Sequence, residues 1–283
     1  MKFLRVPPAE GVAWVRRAFQ AFFRQPFGFA GLFAACALVF FGLVRIPLAG
    51  EAILIVLVPI GTLLFMIAAR RSAAGERPLP GAFAELLAAP RGRLIELLKL
   101  GIAYLVAALA AVLIVAAVEG NSLTAFMEVV ANPKSTPEAS AASLADPRLQ
   151  LGFLVRLLLG ALLSVPFWHA PGLVWWGGQG WAKALFFSTV AIWRNKGAFT
   201  MYGLVWAGLV LVLAMLLGVV VALLGGQQAR FAATSLFFFF STVLYVSLWF
   251  TFAGCFAQAD DDAGADAGAT SPAEPPSGPD PSS

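Results

Sequence analysis

The chain holds a single histidine, His169, within the apolar stretch SVPFWHAPGLVWWGGQGW that runs from Ser164 to Trp181. An imidazole is costly to bury in an apolar segment, so His169 is a candidate for proton transfer or ligand contact. A hydrogen bond to a neighbouring helix is the alternative role. A histidine-based metal cluster is not expected, because Cys36 and Cys255 lack the spacing around His169 that zinc sites use.

Trp168 precedes the histidine, in a stretch whose prolines remove backbone donors and disturb helix geometry. Pro166 and Pro171, with the glycines that follow them, predict a kinked or broken helix. The tryptophans of this stretch fit an aromatic belt at a membrane interface, where indole rings concentrate. Trp168 lies deeper than the others, which favours the alternative of a broken helix that lines a cavity.

Arg156, in the sequence LVRLLLG, is a basic residue inside an apolar run. Its long side chain can extend along the helix until the guanidinium reaches the polar interface. The alternative is a side chain that faces the bundle interior and contacts an anion or a lipid headgroup. His169, Arg156 and Trp168 are therefore the three candidate functional residues.

The acidic residues exclude some functions, because all fifteen Asp and Glu fall outside the apolar runs. Carriers driven by protons or cations commonly use carboxylates within the membrane, so this class is disfavoured. The sequence also lacks P-loop, HExxH, GxSxG and kinase signatures. We expect no catalytic residue, no cofactor and no metal, and a protein that is not an enzyme.

The composition predicts the elements that must position these residues, since 60% of the 283 residues are hydrophobic and 12% are charged. A soluble domain has about 25% charged residues, so the chain belongs to the membrane class. About 20 apolar residues cross a bilayer as a helix, and the chain holds six such runs. They predict an all-α polytopic membrane helix bundle with spans at about 27–44, 52–69, 100–118, 151–175, 201–224 and 232–255.

Basic residues determine the predicted orientation, because Lys and Arg accumulate in cytoplasmic loops. With the N-terminus in the cytoplasm, fourteen of the nineteen Lys and Arg are cytoplasmic and four are outside. Both ends of the transmembrane domain, residues 1–257, are then cytoplasmic. Residues 258–283 are rich in Asp, Ala, Gly, Pro and Ser, and they predict a disordered acidic tail. The basic residues are scattered between spans, which argues against nucleic acid as a partner.

Short amphipathic segments precede some of the spans. Residues 12–22 place Val and Phe at helical spacing opposite Arg and Gln, which predicts a helix lying in the membrane interface. A comparable segment precedes the fifth span, where Trp181, Leu185 and Trp193 accompany Lys183, Arg194 and Lys196, and residues 81–99 are a third version. These segments suggest three units of interfacial helix plus transmembrane hairpin, at about 12–69, 81–175 and 181–255. The alternative is that every cytoplasmic helix end is basic and aromatic without a repeat.

Four stretches carry a family resemblance: PFWHAP with VWWGGQG, ALFFSTVAIWRNKGAFTMYGLVWAG, FSTVLYVSLWFTFAGCF and the opening AWVRRAFQAFFRQPFGFAGLF. In them the chain resembles an uncharacterised proteobacterial family of multi-pass inner-membrane proteins. The resemblance covers most of residues 1–257. It implies a location in the bacterial inner membrane, and it implies no activity or site residue.

We interpret the chain as a non-enzymatic scaffold or interaction protein in the lipid bilayer, with membrane proteins or further copies of itself as partners. The alternative is a transporter or channel for a small or lipid-like solute, with His169 of the broken fourth span in its pathway. A lipid-modifying membrane enzyme is the third hypothesis. A water-filled cavity lined by His169, Trp168 and Ser164 favours transport, whereas a dry packed bundle argues against it.

Overall fold

The computed structural model describes residues 2–47, 49–132, 135–224 and 226–257. The predicted disordered tail, residues 258–283, lies outside the described residues. The described part is mainly helical. Its elements in chain order are β1 Lys2–Phe3, α1 Glu10–Arg24, α2 Pro26–Val44, α3 Ala49–Ala73, α4 Gly81–Leu87, α5 Arg91–Glu119, α6 Ser122–Ala131, α7 Pro137–Leu144, α8 Pro147–Phe167, α9 Ala170–Trp175, α10 Trp181–Arg194, α11 Lys196–Leu224, α12 Gly226–Cys255 and β2 Phe256–Ala257.

Six segments of the described chain are long and apolar enough to cross a membrane, and each matches a predicted span. They are α2, α3, α5, α8 together with α9, α11 and α12. The prediction of an all-α polytopic helix bundle is therefore confirmed. Helices α5 and α11 have 29 residues each. Such helices are about 43 Å long, so they extend beyond a hydrocarbon core of about 30 Å into the interface.

The hydrophobic core lies at one end of the bundle. Its buried side chains come from the C-terminal halves of α3 and α12, the first turns of α5 and α11, and the short helices α1, α9 and α10. Toward the other end, apolar side chains of α11 such as Val210, Leu211 and Met215 are exposed. Lipid tails are as apolar as these side chains, so the bilayer covers them in place of protein.

Both ends of the described chain meet at the core end of the bundle. Strand β1 pairs antiparallel with β2, which directly follows α12, and Phe3 lies opposite Phe256. Asn195, between α10 and α11, donates to the Leu4 carbonyl and accepts from the Val6 N–H, each at 3.0 Å. The two ends therefore lie on the same side of the membrane. We call this the terminal side, and the opposite one the far side.

The short helices α1, α4 and α10 each precede a pair of long helices, in agreement with the three predicted units. Residues 81–99 divide into α4 and the first turns of α5. Each short helix packs mainly on the hairpin of another unit: α4 on α3, α10 on α8, and α1 on α11 and α12. The short helices of the second and third units thus pack against the hairpin of the preceding unit. Helix α1, from the first unit, packs against the hairpin of the last unit.

The sequence predicts that the apolar face of α1 contacts the membrane interface. In the structure, other helices cover this face instead. Its buried residues include Trp14, Val15 and Phe22, and α11 and α12 pack against them. Gly11 permits this close approach, because a Cβ atom there would lie 2.1 Å from the carbonyl oxygen of Ala198. The apolar face of α1 therefore serves mainly to join the first and last units.

Candidate functional site

The fourth span changes direction between Phe167, which ends α8, and Ala170, which begins α9, so the predicted broken helix is confirmed. In a continuous helix the His169 N–H would donate to the Val165 carbonyl four residues earlier. The hydroxyl of Ser188, on α10, stands between these groups: it accepts from the His169 N–H at 3.0 Å and donates to Val165 at 2.9 Å. Because Ser188 is fully buried, its insertion satisfies both backbone groups and fixes the bend.

The side chains of the break converge on Thr251 of α12. The Trp168 Nε1–H donates to the Thr251 hydroxyl oxygen at 3.1 Å, and His169 Nε2 lies 3.3 Å from the same oxygen. Thr251 donates its own hydroxyl proton to the Leu248 carbonyl at 2.9 Å. With that proton committed, His169 Nε2 is the donor to Thr251, which assigns the neutral Nε2–H tautomer.

His169 is fully buried, since it has no solvent-accessible surface. The rings of Phe199, Phe252 and Phe256 surround the imidazole at centroid distances of 5.5 to 5.9 Å. Its Nδ1 atom has no hydrogen-bond partner among the described residues. In the assigned tautomer this atom is an acceptor, and an unpaired acceptor is less rare in protein interiors than an unpaired N–H. His169 is therefore enclosed by aromatic rings, and its hydrogen-bond contact among the described side chains is with Thr251.

Trp168 is partly buried, and its ring packs edge-on against Tyr202. Ser164 does not join this cluster, because its hydroxyl donates to a carbonyl of its own helix. The structure thus brings two of the sequence candidates, Trp168 and His169, together at Thr251. Since His169 has no accessible surface, it does not line a cavity with Trp168 and Ser164.

The tryptophans that follow the break pack against charged side chains on the terminal side. The guanidinium of Arg93 lies 5.9 Å from the ring centre of Trp175, and that of Arg70 lies 5.9 Å from Trp176. Arg70 also contacts both carboxylate oxygens of Glu85, at 2.9 and 2.8 Å. These contacts join α3, α4, α5 and α9, so the two rings are part of the protein core as well as of the interfacial region.

Arg156, the third candidate, meets a carboxylate that the sequence places just outside the third span. Glu119 is the last residue of α5, its side chain is 8% exposed, and Arg156 Nη2 donates to its Oε1 at 2.5 Å. Helices α3 and α5 extend past the predicted spans and include three acids that the sequence predicts outside them: Glu51, Glu96 and Glu119. Of these three, Glu119 is buried. The helix includes this residue and turns its carboxylate toward α8, where an ion pair compensates for burial.

A groove of about 300 Å³ lies between α5 and α8 beside this ion pair. Apart from Glu119 and Arg156, its walls are small or aliphatic. The groove is open on its outer side. The ion pair therefore forms one polar end of an otherwise apolar surface, formed largely by Ala108, Ala111, Ala116, Leu159, Gly160 and Leu163.

Two further buried contacts link neighbouring helices. The Tyr202 hydroxyl lies 2.6 Å from the Ser247 hydroxyl, which joins α11 to α12. The cysteines are free, and Cys255 accepts a bond from the Asn195 side chain at 3.6 Å. Among the described residues, no group of three or more His, Cys, Asp and Glu could hold a metal ion. The Tyr202–Ser247 and Asn195–Cys255 contacts thus help to hold α11 and α12 together.

Three residues that complete these arrangements were not among the sequence candidates: Ser188, Thr251 and Glu119. Ser188 shares the buried small-residue face of α10 with Ala184 and Ala191, and this spacing of four and three is the signal in the sequence. Glu119 directly follows the last apolar residue of its span, and an acid is unfavourable at the C-terminal end of a helix, which is the signal that could have drawn attention to it. No sequence signal distinguishes Thr251 from the other hydroxyl residues of α12.

No protein-family model and no solved structure matches the chain. The chain is similar to a curated protein of Burkholderia thailandensis that is named a "Probable inner membrane protein". The two are 31% identical over 266 residues, which are 93% of this chain and 97% of the relative. Together with the six apolar helices, this similarity confirms the predicted class of multi-pass inner-membrane proteins. The chain therefore belongs to the family of this inner membrane protein.

Proposed function

We propose that this inner-membrane protein is a non-enzymatic scaffold, a rigid helical platform that holds other membrane components through its surface. The observation that supports this proposal is the use of the buried polar groups. Ser188 and Thr251 bond one helix to another, and His169 is closed to solvent. Polar groups between membrane helices commonly stabilise packing in this way. A carrier or an enzyme needs a polar site that its substrate can reach.

The proposal includes an orientation in which the terminal side faces the cytoplasm. Fourteen of nineteen Lys and Arg belong to the segments on that side under this assignment, and basic segments are retained in the cytoplasm. Single cysteines at the exposed positions Ala9 and Ala141, in a background without Cys36 and Cys255, test it. A membrane-impermeant maleimide that passes the outer membrane should label position 141 in intact cells and position 9 only after lysis. Labelling of position 9 in intact cells would contradict the orientation.

A complementation experiment separates the scaffold from a carrier that works through His169. A deletion strain is profiled for lipid composition and envelope stress, and variants are expressed at wild-type abundance. The scaffold predicts that His169→Gln complements fully, because a glutamine amide can still donate to Thr251. It predicts that Gly11→Leu complements poorly, because α1 can no longer dock. Loss of complementation by His169→Gln, at unchanged thermal stability, would refute the scaffold in favour of a carrier or enzyme.

A further inference from the structure

We propose that the outer face of α1 binds an anionic phospholipid of the leaflet on the terminal side. Arg16 and Arg24 contact the phosphate of the headgroup, and Phe23 contacts the acyl chains beneath it. This site is independent of the scaffold role, and it assigns the protein a class of ligand.

The outer face of α1 is the part of this helix that protein does not cover. The inner face, which includes the buried residues Trp14 and Ala18, packs on α11 and α12. Residues 16, 20 and 24 recur every four positions, so they lie along one side of the helix. An open pocket of about 620 Å³ on this side is lined by Arg16, Phe19, Gln20, Phe23 and Arg24. Because both arginines line the same pocket, one headgroup can contact both.

The pocket lies at the depth of phospholipid headgroups. Helix α2 has 19 residues and is about 28 Å long, so it needs its whole length to cross a hydrocarbon core of about 30 Å. Its first residue, Pro26, is therefore at the boundary of the hydrocarbon, and Arg24 stands two residues before it. The Ser72 hydroxyl donates to the Ala21 carbonyl at 3.3 Å, which also puts the end of α1 beside the basic last turn of α3.

The charges that line the pocket are all positive. Arg16 and Arg24 are exposed, and neither has a hydrogen bond or an ion pair within the described part of the chain. The neighbouring Glu10 is paired with Arg17 at 3.2 Å, and no carboxylate lines the pocket. Guanidinium groups bind phosphate oxygens through charge-assisted hydrogen bonds. Two such groups without a carboxylate favour a headgroup with a net negative charge over a zwitterionic one, whose ammonium they repel.

The exposed aromatic rings beside the arginines favour a lipid over a free anion. Phe23 is 65% exposed, and Phe27, in the first turn of α2, is 90% exposed. Phe19 stacks on Phe23 at a centroid distance of 6.4 Å. Apolar side chains at the hydrocarbon boundary are covered by acyl chains. A free phosphate contacts the arginines and leaves Phe23 uncovered, whereas a phosphate that carries acyl chains contacts both.

Native mass spectrometry of the purified full-length protein tests the site with phosphatidylglycerol and phosphatidylcholine of equal chain length. We expect phosphatidylglycerol to be retained about twentyfold more tightly, since each arginine beside an anionic headgroup strengthens binding about fivefold. The double variant Arg16→Gln/Arg24→Gln should retain the two lipids equally. The matched control is Arg5→Gln/Arg91→Gln, which removes two exposed arginines of the terminal side that do not line the pocket, and it should keep the preference. Phe23→Ser should weaken both lipids and leave the preference between them unchanged.

Equal retention of the two lipids by the wild type would overturn the proposal. An equal loss of preference in the control variant would show a general effect of charge and refute the pocket. Displacement of the lipid by inorganic phosphate at equal concentration would refute a lipid site, because phosphate has no acyl chains. The substituted side chains are exposed, so we expect every variant to unfold at the Tm of the wild type. If the double variant is unstable, Arg24→Gln alone should lower the preference about fivefold, and an unchanged preference would contradict the site.

Discussion

Gly11 offers the sharpest test of how α1 holds the bundle together. In Gly11→Ala, the new Cβ would lie 2.1 Å from the Ala198 carbonyl oxygen and 2.6 Å from the Tyr202 nitrogen. Favourable heavy-atom contacts lie near 3.5 Å, so α1 must move away from α11 by about 1 Å. The obstacle is backbone, which cannot rotate aside as a side chain can.

Extra atoms in a well-packed region destabilise by about 1–3 kcal/mol, and a backbone obstacle favours the upper value. The change from Gly to Ala inside a helix returns about 1 kcal/mol through lower backbone entropy. The net loss is therefore about 2 kcal/mol, which corresponds to a fall in Tm of about 5 °C for a chain of this size. Tryptophan fluorescence during heating in detergent measures this shift, since Trp14 lies in the same contact.

Gly92→Ala is the matched control. Gly92 also lies near the start of a helix, and a Cβ atom there meets nothing within 4 Å. We expect its Tm to equal or slightly exceed that of the wild type. If Gly11→Ala and Gly92→Ala have the same Tm, α1 does not contact α11 as described, and the packing of α1 on the last unit is wrong.

Two further substitutions test the buried polar contacts. Asn195→Ala removes the bonds to Leu4 and Val6 and should lower the free energy of unfolding by about 2 kcal/mol; limited proteolysis should also cleave the first ten residues faster, and an unchanged cleavage rate would contradict the contact. Ser188→Ala leaves two backbone groups of the helix break unpaired and should destabilise by about 1–3 kcal/mol in thermal unfolding. Ser164→Ala is its control, because Ser164 bonds only within α8, and equal effects of the two would refute the bridging role.

The spans could be predicted from sequence because their signal is local. A run of about twenty apolar residues has few other stable placements than a membrane helix. The break in the fourth span was predictable for the same reason, since Pro166 and Pro171 change backbone hydrogen bonding wherever they stand. The candidate residues His169 and Trp168 were recognisable as unusual for their depth, although their partners were not.

The contacts between helices could not be predicted, because they depend on how distant segments pack. The hydroxyl of Ser188 reaches the His169 N–H only because α10 crosses α8 at the break. Glu119 was missed for a different reason. The predicted span ends at residue 118, one residue before the end of α5, so the sequence places this acid in a loop although it forms a buried ion pair. The packing of each short helix on the hairpin of another unit likewise could not be predicted. An amphipathic face has the same sequence pattern whether protein or lipid covers it.

The accessibility of Thr251 shows whether the polar cluster at the helix break is closed to solvent, as a structural role requires. Thr251→Cys, in a background without Cys36 and Cys255, puts a thiol at the meeting point of Trp168 and His169. Because Thr251 has no accessible surface, a small membrane-permeant maleimide should leave this thiol unlabelled in native membranes and label it after denaturation. Rapid labelling in native membranes would reveal a solvent path to His169, and it would contradict the scaffold.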